Sequence, residues 1–157
     1  MLKITSFSKR NELDLVAYEL QMLNAAFPLG YATVSRIDEN FRLESFLVHV
    51  RNLMDFLEEK GDKNKGDIMI SQFIDRNKKP MKPIKLNLDS NLKEKINKHC
   101  QHLTKTRLTE KINWPVSRIA REINSGMSKF ISQLNGSYNK GGISLISKAI
   151  SNYLISS

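Results

Sequence analysis

The chain has 157 residues, 40% of them apolar and 26% charged, the balance of one ordinary domain able to bury a core without disulfides or metal. No apolar run approaches a membrane span and MLKITSFSKR lacks a signal peptide's apolar stretch. Cys100 has no second cysteine to pair with, so the expected setting is cytoplasmic, with no membrane partner. The net charge of +9 is uneven: residues 1–60 carry 7 Lys/Arg against 9 Asp/Glu, and residues 61–157 carry 18 against 7. That asymmetry favours an anionic partner for the second part, RNA or another polyanion, with a lysine-rich solubilising surface as the alternative.

Residues 1–8 read as a tail. The first predicted helix runs from Asn11, a suitable N-cap, to Phe27, and buries Leu13, Val16, Ala17, Leu20, Leu23 and Phe27 before Pro28 and Gly30 stop it. Tyr31 to Ile37 reads as a linker. The second helix, Asn40 to Lys60, is the best patterned near the middle of the chain: Leu43, Phe46, Leu47, Val50, Leu53, Met54 and Leu57 form one apolar stripe. Gly61 is expected to terminate it, and Lys60 to complement its dipole.

GDKNKGD, residues 61–67, is a polar loop, and Asp67 to Asp75 reads as a short helix burying Ile68, Phe73 and Ile74. Residues 76–88 form an irregular basic connection with two prolines. Ile84, Leu86 and Leu88 alternate within it, a strand pattern whose one available partner is residues 2–7. The third helix is expected from Asp89 or Ser90 to Leu108, with Leu92, Ile96, His99 and Leu103 on its inner face. The fourth begins at Asn113-Trp114-Pro115, where Asn can cap and Pro suits the first turn, and carries the most regular stripe: Val116, Ile119, Ala120, Ile123, Met127, Phe130, Ile131 and Leu134. A loop over 135–142 leads to a final helix, Ile143 to Leu154, burying Ile143, Ile146, Ile150 and Tyr153. The fold class is therefore all-α: a single domain over residues 1–157, a four-helix bundle core with an additional C-terminal helix.

Three constellations carry chemistry. Arg42 and His49 lie two turns apart on one edge of the second helix. Together they could act on RNA without metal, the histidine moving a proton and the arginine stabilising the phosphate. The spacing resembles the Arg-x(4–6)-His pattern of HEPN-domain ribonucleases, which are small helical bundles; that family commonly has a polar residue after the arginine, where this chain has Leu43. The resemblance implies a helical bundle, a metal-independent ribonuclease if an enzyme at all, and paired sites across a homodimer. The bland alternative makes both residues edge groups that cap the core.

The stretch ESFLVHVRNLMDF, followed later by HLTKTR and Trp114, is similar to a group of uncharacterised bacterial helical proteins. That resemblance implies the fold alone; separately, the second and third helices, as expected neighbours, could bring Arg51, His102 and Arg107, with Trp114, to one polar groove suited to a phosphate or carboxylate, or to a network that fixes helix register. Third, Lys78, Lys79, Lys82 and Lys85 lie in a proline-interrupted segment that resists burial, with Lys93, Lys95, Lys98, Lys105 and Arg107 following; these are the polyanion-binding candidates. His99-Cys100-x-His102 has workable metal spacing but too few ligands, and Gly136 to Gly142 misses the phosphate-loop pattern, so neither metal nor cofactor is expected. The competing reading is a non-enzymatic helical module that binds a protein or itself.

Overall fold

The computed structural model describes residues 11–27, 36–101, 112–138 and 140–156. Among them the chain is all-α: α1 (Glu12–Ala26), α2 (Arg36–Glu58), α3 (Ser90–Gln101), α4 (Val116–Gln133) and α5 (Lys140–Ser156), with two single 3₁₀ turns at Lys63–Lys65 and Ile70–Gln72. The helices α1, α2, α4 and α5 close a four-membered ring: α1 packs on α2 and α5, and α4 packs on the same two. The C-terminal helix thus completes the core of its own bundle, and α3 flanks α2 from outside the ring.

Apolar periodicity explains the helices that form the ring. In α1, Leu13, Val16, Ala17, Leu20, Leu23 and Ala26 are buried, and Asn11 caps the helix by accepting from the Asp14 N–H at 3.1 Å. In α4, Ile119, Ala120, Ile123, Met127 and Phe130 have no exposed surface. Gly142 lies in the first turn of α5 where α1 passes closest: a Cβ there would stand 2.8 Å from Leu13 Cβ. That contact accounts for a glycine at this helical position despite its cost of about 1 kcal/mol in propensity.

Several boundaries differ from the sequence expectation, each for a local reason. The second helix begins at Arg36, four residues before Asn40, so the expected linker is partly helical. It ends at Glu58, not at Gly61. Glu59 takes the left-handed conformation (φ 58°) and the Lys60 N–H reaches back to Asp55 O at 2.9 Å, so a glutamate occupies the C-terminal position that glycine usually fills. Pro115 sits at the N-cap of α4 with no side-chain cap, in place of the expected Asn113 cap. The last helix begins at Lys140, three residues earlier than expected. The third expected helix is described only to Gln101; its continuation to Leu108, like the tail over residues 1–8, lies outside the described residues.

The expected helix over 67–75 is replaced by the 3₁₀ turn at Ile70–Gln72 and a small antiparallel turn. Met69, Ile70 and Phe73 are buried, whereas Ile74 is exposed. Phe73 joins a cluster of edge-packed rings with Phe56 and Phe130 at centroid distances of 5.8 and 5.3 Å. Extended backbone across this point lets Phe73 drop into the core while Ile74 bridges Pro80.

The alternating Ile84, Leu86 and Leu88 are all buried, but they do not form a strand. Their backbone is satisfied by the bundle instead. The Ile84 N–H donates to Leu57 O at the end of α2 at 2.8 Å, Leu86 N–H to Glu58 Oε1 at 3.0 Å, and Asn87 N–H to Glu122 Oε2 at 3.1 Å. Gly126 of α4 provides the space: a Cβ there would meet Leu57 Cδ1 at 2.8 Å and Leu86 Cδ2 at 2.9 Å.

Candidate functional site

The basic connection is mounted on α4. Arg76 N–H donates to Gln133 O at 3.0 Å, Asn135 N–H to Ile74 O at 3.0 Å, and Ile74 N–H to the Tyr138 hydroxyl at 2.8 Å. At the other end, Arg118 reaches Asn87 O at 3.4 Å. Residues 76–87 therefore run along α4 from its C-terminal end towards its N-terminal end, pinned beneath by buried Met81, Ile84 and Leu86.

The turn at its start is closed by its own hydrogen bonds. Asp75 N–H donates to Lys79 O at 2.8 Å, Lys78 N–H to Asp75 O at 3.0 Å, and Asp75 Oδ1 accepts from the N–H groups of Asn77 and Lys79. Lys78 occupies the left-handed region (φ 62°), where a glycine would be less strained. The tip of the turn thus presents lysines on a backbone tied at both sides. Arg76, Lys78, Lys79, Lys82 and Lys85 are all exposed, and none makes an ion pair among the described residues.

The lysines of α3 differ. Lys98 pairs with Glu94 at 2.6 Å, and Lys93, with only 12% of its side chain exposed, pairs with Glu58. Lys95 is exposed, while Lys105 and Arg107 lie outside the described residues.

His49 faces α1. His49 Nδ1 lies 2.8 Å from Glu19 Oε2, the same oxygen that accepts from Asn52 Nδ2 at 2.9 Å, and Tyr18 packs edge-on against the imidazole at 6.2 Å. Burial raises the Glu19 carboxyl, but the hydrogen bonds from His49 and Asn52 and the His49 charge outweigh it and hold the group below the usual glutamate range. Arg42 is half-buried two turns away, about 10 Å along the axis by helical rise. No hydrogen bond joins it to His49 among the described contacts.

Arg51 lines a cleft of about 400 Å³ between α1, α2 and the 61–68 loop. Its Nε, buried without a hydrogen-bond partner, lies 3.7 Å from Asp55 Oδ2. Glu19, Asp55 and Asp67 share the lining, so three carboxylates face one guanidinium. Burial raises the Asp55 carboxyl, and this outweighs the opposing effect of Arg51 and Lys60. Trp114 is elsewhere, packed edge-on against His99 of α3 at 5.3 Å. Among the described residues Trp114 is not part of the lining of the Arg51 cleft. His102 and Arg107, the other two groove candidates, lie outside the described residues.

Two groups that matter were not singled out from sequence. Glu19 is thirty positions from His49, so only the packing of α1 on α2 unites them. Glu58, the last residue of α2, has a side chain only 7% exposed. It accepts from Leu86 N–H, from Lys93 and, at 2.7 Å, from Lys60. Burial opposes ionisation of Glu58, but these three donors prevail and lower its pKa. Comparison with protein-family models, curated proteins and solved structures found no match.

Proposed function

We propose that this protein binds single-stranded RNA as a polyanion, through the basic turn and the segment that follows it, and does not cleave it. The observation that carries the reading is the mounting of Arg76, Lys78, Lys79, Lys82 and Lys85: exposed, without acidic partners among the described residues, and held on a backbone anchored to α4. A pre-positioned row of cations loses little freedom on meeting a phosphate backbone and releases counterions from it. The Arg42 and His49 pair contributes little to this reading, because His49 is engaged by Glu19 on the face towards α1.

The test is a filter-binding titration at two salt concentrations beside a cleavage assay in EDTA. Replacing Lys78, Lys79 and Lys82 together by Ala should lower the slope of log K against log salt by about 2, since each single-strand phosphate contact contributes about 0.7. His49→Ala should leave binding intact. Absence of binding at low salt would refute the reading, and His49-dependent cleavage would replace it with a HEPN-like ribonuclease.

Self-association is the second reading, favoured by Phe41 and Val48, which are 67% and 42% exposed and lie two turns apart on one line of α2. Light scattering at micromolar concentration tests it; a strict monomer removes it.

A further inference from the structure

A cleft of about 510 Å³ opens where the C-terminal end of α2, the basic segment and the first turn of α3 meet, lined by Glu58, Lys60, Pro83, Lys85, Leu88, Ser90 and Lys93. Three ammonium groups stand there against one carboxylate, for a net charge of +2. The carboxylate is already engaged through both of its oxygens. Glu58 Oε1 accepts from Leu86 N–H and Lys93, and Oε2 from Lys60 at 2.7 Å. Glu58 therefore fixes two of the lysines in place without using all their donors. Lys93 gives one further bond to Leu86 O at 3.2 Å, leaving one of its three N–H groups; Lys60 keeps two, and Lys85 makes no ion pair among the described residues. The neighbouring Asp89 is engaged by Leu92 N–H at 2.8 Å and by Arg118 at 3.8 Å.

We infer that this cleft seats a terminal phosphate monoester of the RNA strand whose backbone follows the basic segment. The inference rests on the polyanion reading and specifies one end of its ligand. Charge selects the monoester: it carries close to two negative charges at neutral pH, whereas an internal phosphodiester carries one. Continuity supports it, because Lys85 belongs both to the cleft lining and to the exposed row that begins at Arg76. Pro83 and Leu88 add apolar walls beside the ammonium groups.

The experiment measures the affinity of the full chain for one oligoribonucleotide sequence carrying a 5′-phosphate, a 3′-phosphate or hydroxyls at both ends. Wild type and the Lys60→Gln, Lys85→Ala double variant are compared, each checked for an unchanged urea midpoint. Wild type should prefer one phosphorylated end over the hydroxyl strand by roughly tenfold, the factor of one charge-assisted hydrogen bond. The double variant should bring that ratio close to one, with the hydroxyl strand bound more weakly than by wild type because Lys85 also belongs to the row that follows the backbone. A preference for the 5′ or the 3′ arm identifies which end is seated. Equal affinity for all three strands in wild type overturns the seat and leaves the polyanion reading standing. So does a preference that survives in the double variant. No binding of any strand at low salt overturns the polyanion reading and the seat with it.

Discussion

Glu58→Gln tests how the basic segment is held. The carboxylate is 7% exposed and bonds to Lys93, which is 12% exposed, to the half-exposed Lys60, and to the Leu86 N–H at 3.0 Å. Breaking a buried ion pair from one side costs about 3–5 kcal/mol, and the pair with Lys60 adds less than about 1 kcal/mol because its partner is solvated. Glutamine keeps a carbonyl for Leu86 N–H or Lys93, which recovers about 1 kcal/mol, and the cleft admits water to the Lys93 ammonium. The expected loss is about 2–3 kcal/mol at pH 7, read from paired urea unfolding curves of wild type and variant.

The pH dependence is a sharper readout. The folded-state pKa of Glu58 lies below its ordinary value of 4.5. Its contribution is therefore fully present above that ordinary value and fades as pH falls through the lowered one. The wild type should lose its advantage over Glu58→Gln on that acid limb, because both side chains are then neutral. A difference under about 0.5 kcal/mol at pH 7, or one that stays constant with falling pH, would show that the carboxylate does not anchor the segment.

Other substitutions address the bundle itself. Ile123→Ala, at a fully buried position of α4, should cost about 2–4 kcal/mol in a urea melt, and an unchanged midpoint would mean that this face is not packed. Asn24 and Asn124 form a reciprocal amide pair, Asn24 Nδ2 to Asn124 Oδ1 at 3.3 Å and Asn124 Nδ2 to Asn24 Oδ1 at 3.0 Å. A double-mutant cycle to Ala should give a coupling of about 1 kcal/mol, and independent additive losses would contradict that geometry. Gly142→Val should destabilise by about 1–3 kcal/mol through the clash with Leu13; a neutral urea midpoint would show that α1 and α5 stand further apart.

The apolar stripes of α1, α2, α4 and α5 were legible in the chain because 3.6-residue periodicity is a local property, and with it the all-α class. The resistance of Lys78, Lys79, Lys82 and Lys85 to burial was legible for a similar reason: prolines and charge leave that segment few other options, and all four lysines are exposed. Helix ends were less legible. Glu59, not glycine, takes the left-handed position after α2, and α5 begins at Lys140, with Gly142 in its first turn close against Leu13 of α1.

What lay beyond the sequence was every relation between distant positions. Alternation at Ile84, Leu86 and Leu88 announced extended chain with one buried face, but not what would satisfy its backbone; the Leu57 carbonyl at the end of α2 and the carboxylates of Glu58 and Glu122 do so. The spacing of Arg42 and His49 could be read along the chain, whereas the Glu19 carboxylate that α1 sets against His49 could not. Asn124 interrupts an apolar stripe, a visible signal, yet its partner Asn24 is a hundred residues away and only the packing of the helices unites them. Periodicity and composition act along the chain, whereas hydrogen-bond partnership and net charge in a cleft belong to the packed three-dimensional arrangement. For this reason the basic row could be read from residues 76–85, while the Lys60, Lys85 and Lys93 cleft around Glu58 appeared only once α2, α3 and the segment between them were folded together.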